Sequence, residues 1–148
     1  MTIYLGTDHA GFQLKEQIKN FLMENAYDVV DLGAEVFNAQ DDYPDFITLV
    51  AQAVAQDATD DVKKFGIVFG GSGQGEMMAA NRIKGARCAM YYGGTDNIVV
   101  LSREHNNANM LSLGARFISL DEAKESVNKF LSTDFSGDER HSRRLAKF

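Results

Sequence analysis

Seven consecutive residues, G-G-S-G-Q-G-E at positions 70–76, place a carboxylate just beyond a glycine-dense turn that also carries a hydroxyl. Gly70, Gly71, Gly73 and Gly75 let the backbone fold tightly and approach a ligand with no Cβ in the way. Such a turn points successive N–H groups into one concavity, and a helix behind it adds unpaired N–H groups and the positive end of its dipole. An oxyanion is stabilised there. Glu76 as base, with Ser72 and the backbone of Gly71, Gly73, Gln74 and Gly75 as fixed dipoles, is the equipment for removing a proton next to a carbonyl. Taken alone, Glu76 is also the acid that a helix dipole favours in any first turn. That position predicts a carboxylate ionised at neutral pH and weakened as a base by the same dipole.

Three better-known loops do not fit. A dinucleotide fingerprint G-x-G-x-x-G requires glycine where Glu76 or Ser72 stands, depending on the starting glycine. A Walker A loop requires Gly-Lys followed by Ser or Thr, and a nucleophile elbow around Ser72 requires glycine at Gln74.

The elements that hold this loop follow from periodicity. Phe65–Phe69 is apolar and β-favouring, so the loop joins a strand to a small-residue helix. Thr2–Gly6 is a first strand, opening through Thr7-Asp8-His9-Ala10-Gly11 into a helix with apolar residues at Phe12, Leu14, Ile18, Phe21 and Leu22. Tyr27–Leu32 is a second strand, and Pro44, at the first helical position, starts a helix running to about Gln56. Ala86–Tyr92 is a fourth strand; Gly93-Gly94-Thr95 caps a helix ending near His105-Asn106-Asn107. Asn109–Ile118 reads as a strand interrupted at Gly114, followed by a helix Asp121–Leu131, with Leu120 just ahead of its cap. Ser136–Glu139 resembles a capping box opening a short basic helix. Strands alternating with helices of this length imply right-handed βαβ units and a parallel sheet covered on both faces. Ligands bind such sheets at the carboxyl ends of the strands. Asp8 and His9, the 70–76 loop and residues 93–96 then share one rim.

A chain of 148 residues with 45% hydrophobic content fits one domain with a real core. The net charge of -6 argues against nucleic acid as the main partner. Acids gather in residues 24–61, whereas residues 140–148 carry Arg140, Arg143, Arg144 and Lys147 with no acid. The single cysteine, Cys88, rules out an intrachain disulfide. No secretory h-region or run of the roughly 20 apolar residues of a membrane helix occurs, so a cytoplasmic location is expected. His9, His105 and His141 are far apart and lack zinc-site spacing, so no metal is expected. Arg140 and Arg144, four apart, share one helix face and could grip one phosphate; a basic terminal helix is also a common solvated tail. Arg116, read as lying in an apolar strand, needs an anionic partner.

The motifs D-H-A-G at 8–11, D-Y-P-D at 42–45, G-G-S-G-Q-G-E at 70–76, A-A-N-R-I-K-G-A-R at 79–87, R-E-H-N-N-A-N at 103–109, L-G-A-R at 113–116 and R-H-S-R-R at 140–144 occur in this order. Together they closely resemble the type B ribose-5-phosphate isomerases, within the wider group that includes galactose-6-phosphate isomerase subunits. The resemblance implies a Rossmann-like three-layer αβα sandwich with a five-stranded parallel sheet and a C-terminal helix. It also implies an aldose–ketose isomerase working through a cis-enediolate with neither metal nor cofactor. The partners expected are a sugar phosphate and a second copy of the chain, as a homodimer with shared sites or a tetramer, with no nucleic acid and no membrane.

Many members of that family carry a cysteine base at the position of Gly70, followed by threonine where Ser72 stands. This sequence resembles the branch with glutamate at the far end of the loop, which moves the base to Glu76 and leaves Cys88 as a core residue. Carried over, the resemblance gives Glu76 the C2–C1 proton shuttle and gives Ser72 and the amides of Gly71–Gly75 the developing charge. Asp8 and His9 contact the sugar and its phosphate end, His105 opens the furanose ring, and Asn106 orients the substrate. Arg116, Arg140 and Arg144 bind phosphate or nearby oxygens, with His105, Asn106 and Arg116 reaching in from the partner subunit. A six-carbon sugar phosphate, such as allose or galactose 6-phosphate, is the alternative substrate. A non-catalytic sugar-phosphate sensor is the alternative class, against which the joint presence of Glu76, Ser72 and His105 speaks.

Overall fold

A computed structural model describes residues 1–56 and 63–147. Its strands are β1 (Thr2–Thr7), β2 (Asp28–Asp31), β3 (Lys64–Gly70), β4 (Cys88–Tyr91) and β5 (Met110–Gly114). The helices are α1 (Phe12–Glu24), α2 (Tyr43–Ala55), α3 (Gln74–Ala80), α4 (Asn97–Asn106), α5 (Leu120–Ser132) and α6 (Glu139–Leu145). The strands form one all-parallel sheet in the order β2-β1-β3-β5-β4. This is the α/β sandwich expected.

Alternation along the strands divides the core. Ile3, Leu5, Phe65, Ile67, Phe69, Leu111 and Leu113 point to the face covered by α1, α4 and α5, meeting Leu14, Ile18, Val99, Val127 and Phe130. Val68, Cys88 and Met110 point to the other face, against Ile47, Val50 and Val54 of α2 and Ala80 of α3. The chain therefore goes from β1 to β2 across one face, through α1, and from β2 to β3 across the other, through α2. The order of strands reverses between β1 and β3, and a crevice opens above their carboxyl ends. Thr7 and Phe69 pair at that edge, with Thr7 Oγ1 2.9 Å from the Phe69 carbonyl.

Several local readings are corrected. β5 stops at Gly114 and the chain turns, Phe117 N–H bonding to the Gly114 carbonyl, so Arg116 lies in an exposed turn and not in a strand. Ser119 is the N-cap of α5 in a full capping box with Glu122, which makes Leu120 the first helical residue. Asp96, not the Gly93–Thr95 stretch, occupies the N-cap of α4, and its carboxylate pairs with Lys129 of α5 in place of capping. No box forms ahead of α6: Ser136 Oγ accepts the Asp138 N–H, leaving the Asp138 cap without a side-chain bond. Pro44 is the second residue of its helix, after Tyr43.

Lys15 of α1 is fully buried, and its Nζ donates to Asp31 at 2.8 Å and to the Ala34 carbonyl at 2.7 Å. It pins the segment that leaves β2 for the crevice. Burial raises the Asp31 pKa, but the hydrogen bonds from Lys15 and Lys19 and the Gly33 N–H outweigh it, so the net shift is downward from 3.8. Stability from this group is thus complete above the ordinary carboxylate value and is lost as pH falls through the lower, folded one. Lys15→Met, which leaves Asp31 with Lys19 and the Gly33 N–H, is expected to cost about 3 kcal/mol by urea denaturation at pH 7, with less difference from wild type in acid.

Candidate active site

The 70–76 loop caps β3 at the crevice, and the sheet ladder continues into it. The N–H groups of Ala115 and Arg116 donate to the carbonyls of Gly70 and Gly71 at 2.8 and 3.1 Å. Ser112 Oγ donates to the Gly73 carbonyl at 2.6 Å from below. Gly73 is the N-cap of α3 with φ of 78°, the left-handed conformation that favours glycine. A Cβ at Gly75 would stand 2.7 Å from the Tyr43 ring, which closes the loop from the α2 side. Ser72 is half-buried, and its Oγ accepts the Gln74 N–H at 3.4 Å. Glycine at these places brings the backbone against two neighbouring elements.

Glu76 is only 4% exposed, in the first turn of α3. Its carboxyl group occupies the space that a Cβ on Gly70 would need. A glutamate base here and a side chain at position 70 therefore exclude one another. Burial raises the Glu76 pKa above its ordinary value; its own backbone N–H opposes this, and the nearby Asp8 charge adds to it. The dipole argument alone pointed the other way, and desolvation wins. A carboxylate with a raised pKa is a stronger base once ionised. Cys88 is buried beneath, its thiol pushed up by burial and then by the Glu76 charge, which suits a core residue.

Asp8 and His9 stand beside the loop, at the end of β1. Asp8 is 7% exposed and accepts the Ala10 N–H at 2.9 Å. His9 Nδ1 lies 2.7 Å from Asp41 Oδ1. Arg116 is exposed, and its guanidinium approaches the backbone of Gly71 in the same chain. The expectation that Arg116 enters from a partner is thus unnecessary, since its own turn delivers it to this loop.

The remaining candidates lie elsewhere. α4 runs back across the sheet and ends at Asn106, just ahead of the amino end of β5. The half-buried His105 and the exposed Asn106 are thereby set at the opposite edge from Glu76, separated by the length of β5, roughly 13 Å for five residues. α6 packs on α4 at that edge, carrying the exposed Arg140 and Arg144. The His141 ring stacks on His105 with centroids 4.3 Å apart and planes 11° apart. Burial lowers the His141 pKa, and His105, Arg140 and Arg144 lower it further. A cavity of about 460 Å³ opens here, lined by Asn81, Arg87, Cys88, Ser102 and Asn106 among others, and not by Glu76 or Ser72.

Sequence reasoning had assigned no role to Asp41 or His141. The R-H-S-R-R motif already contained His141, and its place among Arg140, Arg143 and Arg144 was the available signal. Asp41 had none, because its partner is 32 residues away.

A description of the ribose/galactose isomerase family matches residues 3–148. The ribose-5-phosphate isomerase B of Mycolicibacterium paratuberculosis is 43% identical over 145 residues, covering 98% of this chain and 87% of that protein. A crystal structure of ribose-5-phosphate isomerase B from Mycoplasma genitalium with bound ribulose-5-phosphate superposes with a TM-score of 0.91 at 40% identity, over 99% of this chain and 92% of that one. The isomerase B of Clostridium thermocellum gives 0.89 at 41%, over 99% and 94%. Full-length likeness in sequence and in fold, with the glycine loop and its buried carboxylate at the strand-order reversal, places this chain in the ribose/galactose isomerase family, among the type B ribose-5-phosphate isomerases.

Proposed function

We propose that this chain interconverts ribose 5-phosphate and ribulose 5-phosphate by acid/base catalysis through a cis-enediolate, with Glu76 as the base. The observation that carries the assignment of the base is the buried carboxylate of Glu76 in the volume vacated by Gly70, facing the amide-rich loop. Glu76 takes the C2 proton and returns it to C1 on the same face, while Ser72 and the amides of Gly71, Gly73, Gln74 and Gly75 hold the enediolate oxygen. Asp8 and His9 bind the sugar, and Arg116 reaches over the loop from its own turn. Binding energy at the remote phosphate orients the reacting carbons. The lone cysteine suits a reducing cytoplasm.

One chain holds only half of this machinery at each edge. A single pentose phosphate cannot bridge the two ends of the sheet, so His105, Asn106, Arg140 and Arg144 act in the crevice of a second copy. An isologous dimer supplies both sites at once. β4 is an edge strand, and the exposed apolar residues Met78, Ile98 and Leu101 on α3 and α4 beside it suit such a contact.

Mixing tests both statements. Glu76→Gln and His105→Asn homodimers should each be nearly inactive on ribose 5-phosphate, whereas chains unfolded and refolded together at equal amounts should recover about a quarter of wild-type activity, from hybrids with one intact site. Recovery absent from a population shown by mass to contain hybrids would mean that the sites are not shared. Wild-type turnover of allose 6-phosphate above that of ribose 5-phosphate would move the substrate assignment to six carbons.

A further inference from the structure

We infer that Asp41 is a positioning residue for His9: it fixes the imidazole with Nδ1 held inward and Nε2 presented to the sugar phosphate. This rests on the isomerase reading for what His9 touches, but not for how the ring is held.

One oxygen of Asp41 serves two donors of the same residue. Oδ1 accepts the His9 backbone N–H at 3.0 Å and lies 2.7 Å from His9 Nδ1. A carboxylate can only accept, so Nδ1 carries the proton in this pair and the remaining nitrogen, Nε2, is on the far edge of the ring. The grip fixes both the backbone position and the ring rotation. The Asp41 side chain is 8% exposed, while His9 keeps 30% of its side-chain surface open. Among the described residues Asp41 Oδ2 is buried without a hydrogen-bond partner, a cost that a surface ion pair would not incur. Asp8 Oδ2 lies 3.9 Å from the same Nδ1, a second negative charge behind the ring. Phe37, from the segment that delivers Asp41, stands edge-on to the imidazole at 6.3 Å and to Phe12 at 6.2 Å. The ring is thus held from behind by carboxylates and from the side by an aromatic wall, leaving the Nε2 edge for a ligand. Asp41 reaches this place from the far end of the segment that Lys15 anchors at Ala34.

The test combines nitrogen spectroscopy of the free enzyme with kinetics. Only three histidines contribute ring signals. In wild type the neutral His9 ring should carry its proton on Nδ1; in Asp41→Ala it should shift toward the Nε2–H form common in solution. With ribose 5-phosphate, Asp41→Ala should raise KM about tenfold with kcat within about twofold, the loss expected when a positioned hydrogen bond to a charged ligand is loosened. Asp41→Asn, whose amide oxygen can still accept both N–H groups, should restore the Nδ1–H form and most of the affinity. Wild-type tautomer and KM in Asp41→Ala would overturn the inference, as would equal damage in Asn and Ala variants. His9→Ala separates the two levels. If it raises KM and Asp41→Ala does not, the positioning role fails; if neither raises KM while the tautomer still moves, it is the substrate contact of His9 that fails.

Discussion

Glu76→Gln is expected to bind a sugar phosphate within a few-fold of wild type while exchange of the C2 proton with solvent falls by about 10³-fold, the usual loss on removing a positioned base. The amide keeps the shape of the side chain and fills the same space above Gly70, so the loop and α3 stay in place. It cannot take a proton from carbon. Because the burial that raises the Glu76 pKa disfavours its charged form in the fold, the variant should be at least as stable as wild type at neutral pH. The same shift sets the sign of the pH dependence. The base works only when ionised, so kcat/KM of wild type should fall on the acid side around a pKa above the ordinary 4.5, and the residual rate of Glu76→Gln should lack that limb. Near-wild-type exchange in the variant would remove Glu76 from the reaction.

Gly70→Ala is expected to lose about 10²-fold in kcat with little change in thermal midpoint, a combination that a packing defect does not produce. Gly70 ends β3 and is not among the glycines in the left-handed region, so alanine is acceptable to the backbone. The added methyl collides with the carboxyl group of Glu76 and with no backbone atom among its nearest neighbours. That group is the far end of a flexible side chain and swings away cheaply. Stability should then be preserved, while the Glu76 carboxylate leaves the position proposed for the base. Parallel denaturation and turnover measurements decide it: retained kcat would show that the carboxylate has room to act elsewhere, and a large fall in midpoint would show that the loop itself is damaged. The same collision gives a physical reason why a chain with a buried glutamate at position 76 has glycine at 70.

Much of the frame was legible because its signals are local. The helix periods, the β-favouring runs and the glycine turn are set by neighbours in sequence, and they predicted five strands, their parallel course and the rim that holds Asp8, His9 and the 70–76 loop. Errors fell where two local signals competed. Ser136 and Glu139 have the spacing of a capping box, yet the Ser136 hydroxyl is taken by the Asp138 amide; Ser119 and Glu122 have the same spacing and do form one. Arg116 looked like a strand residue because it follows an apolar run, but Gly114 ends the ladder and turns the chain.

By itself, then, the sequence determined that a carboxylate and a hydroxyl stand on a glycine-rich turn between a strand and a helix, since that is a matter of adjacency. Tertiary structure alone decided the direction of the Glu76 pKa, because desolvation depends on what lies around the carboxyl group and not on its place in a helix. It alone joined Asp41 to His9 and set His105 and α6 at the far edge from Glu76. Those relations depend on the order in which strands enter the sheet, and a parallel sheet brings together or separates residues by strand end rather than by distance along the chain.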